Sequence, residues 1–204
     1  VCPGEDYLRQ VRALCDDRGV SLIFDEVQVG MGRTGRLFAH EHYGVTPDIM
    51  TLAKALGNGL PIGAMLATER VAGGFGPGSH ATTFGGTPLV TAVARDVLRC
   101  LTGEGWIRHA AEVGAYFQER LQALAAECPL VLEARGLGLI QGLALNRPGA
   151  PVVDACLREG FLINCAHDTV LRFLPPLIVT RAEIDRLMEA LTGILVRMGE
   201  PGKE

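Results

Sequence analysis

Lysine is almost absent from this sequence. Of the 19 basic residues in 204, all but Lys54 and Lys203 are arginine. Lys203 lies in the tail, whereas Lys54 sits in the mostly apolar run Ile49-Met-Thr-Leu-Ala-Lys-Ala-Leu56, so an interior setting is expected for it. Excess positive charge is lacking too. With 23 acidic side chains the net charge is −4, which argues against a nucleic-acid or anionic-membrane partner. No apolar run approaches the roughly 20 residues of a membrane span; Val20 to Phe24 and Gly136 to Leu145 are among the longest. A soluble protein with no membrane partner is expected. The six cysteines form no C-x-x-C pair, which suits reduced thiols in a cytoplasmic protein, with neither a disulfide nor zinc expected. No charged and then apolar leader follows Val1, so no signal peptide is expected.

Glycine is the residue in excess, 26 in all, nearly twice the average of about 7%. Many tight turns and close backbone approaches are implied. Between them, Leu8, Val11, Leu14 and Cys15 recur at helical spacing in Glu5 to Asp17, and Gly19 is placed to end that helix. Val20 to Phe24 reads as a buried strand, and Asp48 to Leu52 and Ile62 to Ala67 as two more, separated by a turn at Gly57 to Pro61. Helix and strand in alternation predict a parallel sheet. Helices follow at Pro88 to Leu101 and Trp106 to Cys128, with Thr102-Gly-Glu-Gly105 as the expected break between a region 1–104 and a region 105–204. The later region mixes expected strands (130–133, 137–145, 161–165, 170–174) with helices (152–159, 181–198), a smaller α+β unit.

Three constellations compete for the chemistry. Leu22-Ile-Phe-Asp-Glu26 has the form of a magnesium-holding strand, but neither lysine lies in a G-x-x-x-x-G-K-[ST] loop, so a nucleotide hydrolase fails within this chain. Gly30-Met-Gly-Arg-Thr-Gly35 matches the dinucleotide-binding G-x-G-x-x-G. Its context is wrong, because five residues, Asp25 to Val29, separate the strand from the glycines, and no acid lies about 20 residues on. The third pairs Asp25 with Lys54, each following a predicted strand. Parallel strands share one carboxyl edge, where ligands bind, so the two charges are expected to face one cavity. A lysine amine and a carboxylate are what pyridoxal phosphate needs: one to bond its aldehyde, the other to keep its ring nitrogen protonated. Against these stand plainer readings, a strand-end turn for Asp25 and a surface position for Lys54. His80 to Gly86 contains Thr82 and Thr83 and could bind phosphate through hydroxyl and backbone N–H groups. Arg172, in Leu171-Arg-Phe-Leu174, is suited to gripping a carboxylate in two places. His40 and His42 flank Glu41 without a second cluster, so no metal site is expected.

Leu22-Ile-Phe-Asp-Glu-Val-Gln-Val-Gly-Met-Gly-Arg-Thr-Gly35, Pro47-Asp-Ile-Met-Thr-Leu-Ala-Lys-Ala-Leu-Gly-Asn-Gly-Leu-Pro-Ile-Gly-Ala64 and Thr82-Thr-Phe-Gly-Gly86 together resemble the class III aminotransferases of fold type I. The resemblance covers nearly the whole chain and is strongest to members acting on N-acetylornithine. It implies the carboxyl-terminal half of such an enzyme: the end of an α/β large domain, mostly parallel sheet with helices, followed by a small α+β domain. It implies pyridoxal 5'-phosphate as cofactor. Lys54 is then the residue bonded to the cofactor and the proton shuttle, and Asp25 the partner of the ring nitrogen. Gln28 is placed near the phenolic oxygen, Thr83 at the phosphate of a neighbouring subunit's cofactor, and Arg172 at the α-carboxylate of the amino acid. The implied reaction is ping-pong transfer of an amino group from N-acetylornithine to 2-oxoglutarate, in a homodimer with shared sites. Thr87 stands where the family usually has asparagine, and is expected to cap the following helix.

Overall fold

A computed structural model describes residues 2–199. They form two compact units, one of Pro3–Arg108 and one that takes in the described residues from His109 onward.

The first unit opens with α1 (Tyr7–Arg18). Gly19, at a φ of 62°, ends it in the left-handed conformation that suits glycine, and the Val20 N–H returns to the Cys15 carbonyl at 3.0 Å. Three strands follow: β1 (Ile23–Asp25), β2 (Ile49–Leu52) and β3 (Ala64–Ala67), in the order β1-β2-β3. β1 and β2 are parallel, with Asp25 opposite Thr51, whereas β3 runs antiparallel to β2. The expected parallel pairing thus holds for one of these two pairs. Its limit is chain length, since 53–63 holds one turn of 3-10 helix, Lys54–Leu56, and a parallel return needs a crossover of a dozen or more residues. The expected buried strand from Val20 begins three residues later and is not uniformly buried: Leu22 is 8% exposed and Ile23 57%. β1 is an edge strand, and Ile23 stands on a face that the described residues leave open.

Asp48 ties these elements together. Its carboxylate accepts from the Leu22 N–H and from the guanidinium groups of Arg12 in α1 and Arg70 in α2 (Glu69–Ala72), each at 2.8 Å. A loop over 73–87 leads to α3 (Pro88–Gly103), which has proline in its first turn, where no N–H is missed. The expected side-chain cap by Thr87 is not formed. The Thr87 carbonyl instead accepts the Thr91 hydroxyl at 2.9 Å and its N–H at 3.0 Å.

The division between units falls within the first turn of α4 (Trp106–Glu127). The second unit is an antiparallel sheet of order β4-β5-β7-β6: β4 (Val131–Leu137), β5 (Ile140–Leu145), β6 (Asn164–Ala166) and β7 (Val170–Phe173). The two strands expected at 130–133 and 137–145 are one hairpin, turning at Gly138 with a φ of 54°. On one face Leu143, Leu171 and Phe173 join α4, α5 (Ala150–Arg158) and α6 (Arg181–Gly199) in a core that includes Phe117, Leu121, Val152, Cys156, Met188 and Leu191. Thr180 and Glu183 form a reciprocal capping box at the start of α6. By strand alternation Val170 and Arg172 stand on the opposite face.

Candidate active site

The sequence Asp25-Glu26 sends two adjacent carboxylates in opposite directions, as a strand end dictates. Asp25 is exposed at the carboxyl end of β1, and its Oδ1 accepts the Val27 N–H at 3.0 Å and the Thr51 hydroxyl at 3.3 Å. Thr51 is its register partner on β2. Glu26 is 3% exposed. Its two oxygens accept the N–H groups of Ala39 and His40, each at 2.9 Å, at the start of a 3-10 turn, Ala39–His42. Glu26 is therefore an organiser of the loop, a role the sequence did not distinguish from that of Asp25.

Gln28 lies half-buried in the turn over 27–30 that this arrangement holds. Gly30 closes it: a Cβ there would sit 2.8 Å from the Glu26 carbonyl oxygen. The remaining glycines of the G-x-G-x-x-G match make tight turns, with Gly32 at a φ of 85° and Gly35 at 84°. They lead to the 3-10 turn and then β2, and the helix that a dinucleotide-binding loop would open is not formed. His40 and His42 serve the same loop. Nδ1 of His40 pairs with the Val45 carbonyl at 2.9 Å, and Nε2 of His42 with Thr34 at 3.1 Å. Burial lowers the pKa of His42, which favours its neutral ring.

Lys54 follows β2 at the same edge of the sheet as Asp25. Its side chain is exposed, so the expected interior setting is not what this chain has. The apolar neighbours turn inward instead, Met50 and Leu52 from the strand and Leu56 from the 3-10 turn. Lys54 has a φ of 45°, a left-handed backbone that costs a non-glycine residue roughly 1–2 kcal/mol. Its carbonyl accepts the N–H groups of Gly57 and Asn58 at 3.1 and 3.2 Å. Gly57 is required in that turn, since a Cβ would fall 2.1 Å from the Leu60 carbonyl oxygen.

Thr83 is exposed in the loop before α3, beside Thr82, whose hydroxyl oxygen accepts the Gly85 N–H at 3.0 Å. Asp25, Gln28, Lys54 and Thr83 all belong to the first unit. Arg172 belongs to the second, on β7, where its Nε donates to Oδ1 of Asn164 at 3.2 Å. Among the described residues there is no group of three or more His, Cys, Asp or Glu that could hold a metal ion, and no helix long and apolar enough to cross a membrane.

The chain is 51% identical, over 95% of its length, to the acetylornithine aminotransferase of Methanocaldococcus jannaschii, of which it covers 49%. Among solved structures, the ornithine delta-aminotransferase of Plasmodium falciparum superposes with a TM-score of 0.93 at 32% identity, over 99% of this chain and 53% of that one. The acetylornithine aminotransferase of Elizabethkingia anophelis does so with a TM-score of 0.88 at 32% identity, over 96% of this chain and 52% of that one. The chain spans about half the length of the curated relatives it matches. The aminotransferase class-III family pattern matches residues 1–195, and the chain belongs to that family.

Proposed function

We propose that the protein containing this chain transfers an amino group from N-acetylornithine to 2-oxoglutarate, using pyridoxal 5'-phosphate, to give N-acetylglutamate semialdehyde and glutamate. The observation that carries the reading is the emergence of Asp25 and Lys54 from the carboxyl ends of two adjacent parallel strands. The donor set fits the cofactor: an aldehyde calls for an amine, a pyridinium nitrogen for a carboxylate. The strained backbone of Lys54 also fits a site, since such conformations cluster where function needs them. The relatives named above support the substrate.

When bound, the cofactor supplies an electron sink for a carbanion beside the amino nitrogen. Lys54 would take the proton from the substrate carbon that bears the amino group and deliver it to the cofactor carbon joined to that nitrogen, so that the amino group stays behind when the oxo product leaves. Asp25 keeps the ring nitrogen protonated, its Oδ1 fixed by the Val27 N–H and the Thr51 hydroxyl. In this reading Gln28 donates to the phenolic oxygen, and Thr83 donates to the phosphate held by a partner subunit. Arg172 grips the carboxylate next to the reacting carbon, as glutamate and 2-oxoglutarate present it. Residues 1–104 then complete the large domain and 105–204 form the small one, in a cytoplasmic homodimer.

Borohydride reduction after incubation with pyridoxal phosphate, followed by peptide mapping, tests the cofactor reading. Lys54 and Lys203 are the only lysines in the chain, so the map is simple. Saturable labelling of Lys54, lost in Lys54→Ala, is the expected result. Labelling of Lys54 no greater than of Lys203, in the full-length protein, overturns it. Turnover of N-acetylornithine against succinylornithine, ornithine and 4-aminobutyrate then tests the donor.

A further inference from the structure

Arg172 stands in a row of four residues that cross the second unit's sheet on its open face. Asn164 of β6 pairs with Arg172 of β7, Arg172 with Gly142 of β5, and Gly142 with Arg135 of β4. The two immediate neighbours of Arg172 are opposite in character. Gly142 has no side chain, so the flank toward β5 stays open. Asn164 fills the other flank, and its Oδ1 accepts the Nε–H of Arg172 at 3.2 Å.

Nε is the one guanidinium nitrogen inside the chain. A bond there fixes the rotation of the planar fork while both terminal nitrogens keep their outward N–H donors for a carboxylate. Arg135, the next charged residue in the row, forms an ion pair with Glu133 and so has its own counterion. A neutral amide suits a positioning partner better than a carboxylate, which would neutralise the guanidinium and compete with the substrate.

From this we infer that Asn164 is a positioning residue, which aligns the guanidinium of Arg172 for the carboxylate next to the reacting carbon, while Gly142 keeps the approach clear. The inference rests on the role of Arg172 given above. It adds a requirement that chemistry alone does not make: selectivity for a 2-oxo acid over the matching aldehyde depends on an amide of the second unit, whereas Lys54 belongs to the first.

Two acceptors isolate the contact. 2-Oxoglutarate carries a carboxylate on its ketone carbon, and succinic semialdehyde has hydrogen there. In the full-length enzyme loaded with cofactor, Asn164→Ala should raise KM for 2-oxoglutarate about tenfold, the weight of one charge-assisted hydrogen bond. It should leave kcat within about twofold and the semialdehyde KM unchanged. Arg172→Lys, which has no Nε–H donor, should raise the same KM at least as far. Asn164→Ala on the Arg172→Lys background should then add nothing, since the bond is already gone. Thermal melting checks that each variant folds, and Asn164→Thr, which suits an edge strand, substitutes if the alanine variant does not fold.

Three outcomes overturn the inference. If Arg172→Lys discriminates between the acceptors and neither Asn164 variant does, Arg172 keeps its role and Asn164 loses this one. If both acceptors are affected alike, or the two substitutions add in full, Asn164 is merely structural. If Arg172→Lys itself fails to discriminate, the reading of Arg172 falls first and takes this one with it.

Discussion

Gly114 of α4 lies directly against the backbone of Gly138, the turn residue of the β4-β5 hairpin. A Cβ at Gly114 would sit 2.4 Å from the carbonyl carbon of Gly138 and 2.5 Å from its Cα and oxygen. Both glycines are needed: one to admit the other, and Gly138 also for its φ of 54°. The buried Gln141 reinforces the contact by donating through Nε2 to the Gly138 carbonyl at 2.7 Å.

Gly114→Ala therefore pits helix propensity against overpacking. Alanine in a helix interior gains up to about 1 kcal/mol over glycine. The clash is with backbone, which cannot rotate away, and overpacking of this kind costs typically 1–3 kcal/mol. Urea unfolding should show a net loss of stability. A gain would mean that α4 and the hairpin are further apart than described.

Asp48 makes acid stability specific. Its carboxyl is held well below the ordinary carboxylate range, first by the Leu22 N–H and then by Arg12 and Arg70. A depressed pKa contributes stability that is complete above the unfolded value, about 3.9, and that drains as pH falls toward the folded one. Asp48→Asn should lower the melting temperature at pH 7 and reduce its fall as the pH drops from about 5 through the unfolded value and on into strong acid. The two curves should converge in acid. Added salt should weaken the Arg70 share most, because that side chain is 63% exposed.

Periodicity and glycine placement carried much of the fold. Leu8, Val11, Leu14 and Cys15 marked α1, and Gly19 marked its end, because both signals are local. The direction of β3 was not local. It follows from the span between Leu52 and Ala64 and from what that span cannot build. Residues 134–136 fell between two expected strands, yet they lie within β4, where a Cβ on Gly136 would meet the side chain of Gln141, a contact set by the partner strand. At the site, Asp25 and Lys54 stood out through spacing and scarcity. The exposure of Lys54 did not, because an apolar run does not reveal which of its residues turn inward. Asn164 had no signal before the register of β6 on β7 was known.

Glu26 offers the sharpest contrast with its neighbour. Glu26→Gln preserves shape but replaces one acceptor oxygen with an NH2 group, which must then face the N–H of Ala39 or of His40. Leaving a buried donor without its acceptor costs about 1–3 kcal/mol. Glu26 is 3% exposed, so bulk water does not replace the lost acceptor. Urea unfolding should register that loss, and limited proteolysis between residues 27 and 45 should quicken as the 3-10 turn loses its cap. Glu41→Gln, at an exposed position in the same turn, should change stability by no more than about 0.5 kcal/mol. Equal effects from the two substitutions would show that the carboxylate of Glu26 does not organise this loop, and that the segment bearing Gln28 is held by its glycine turns alone.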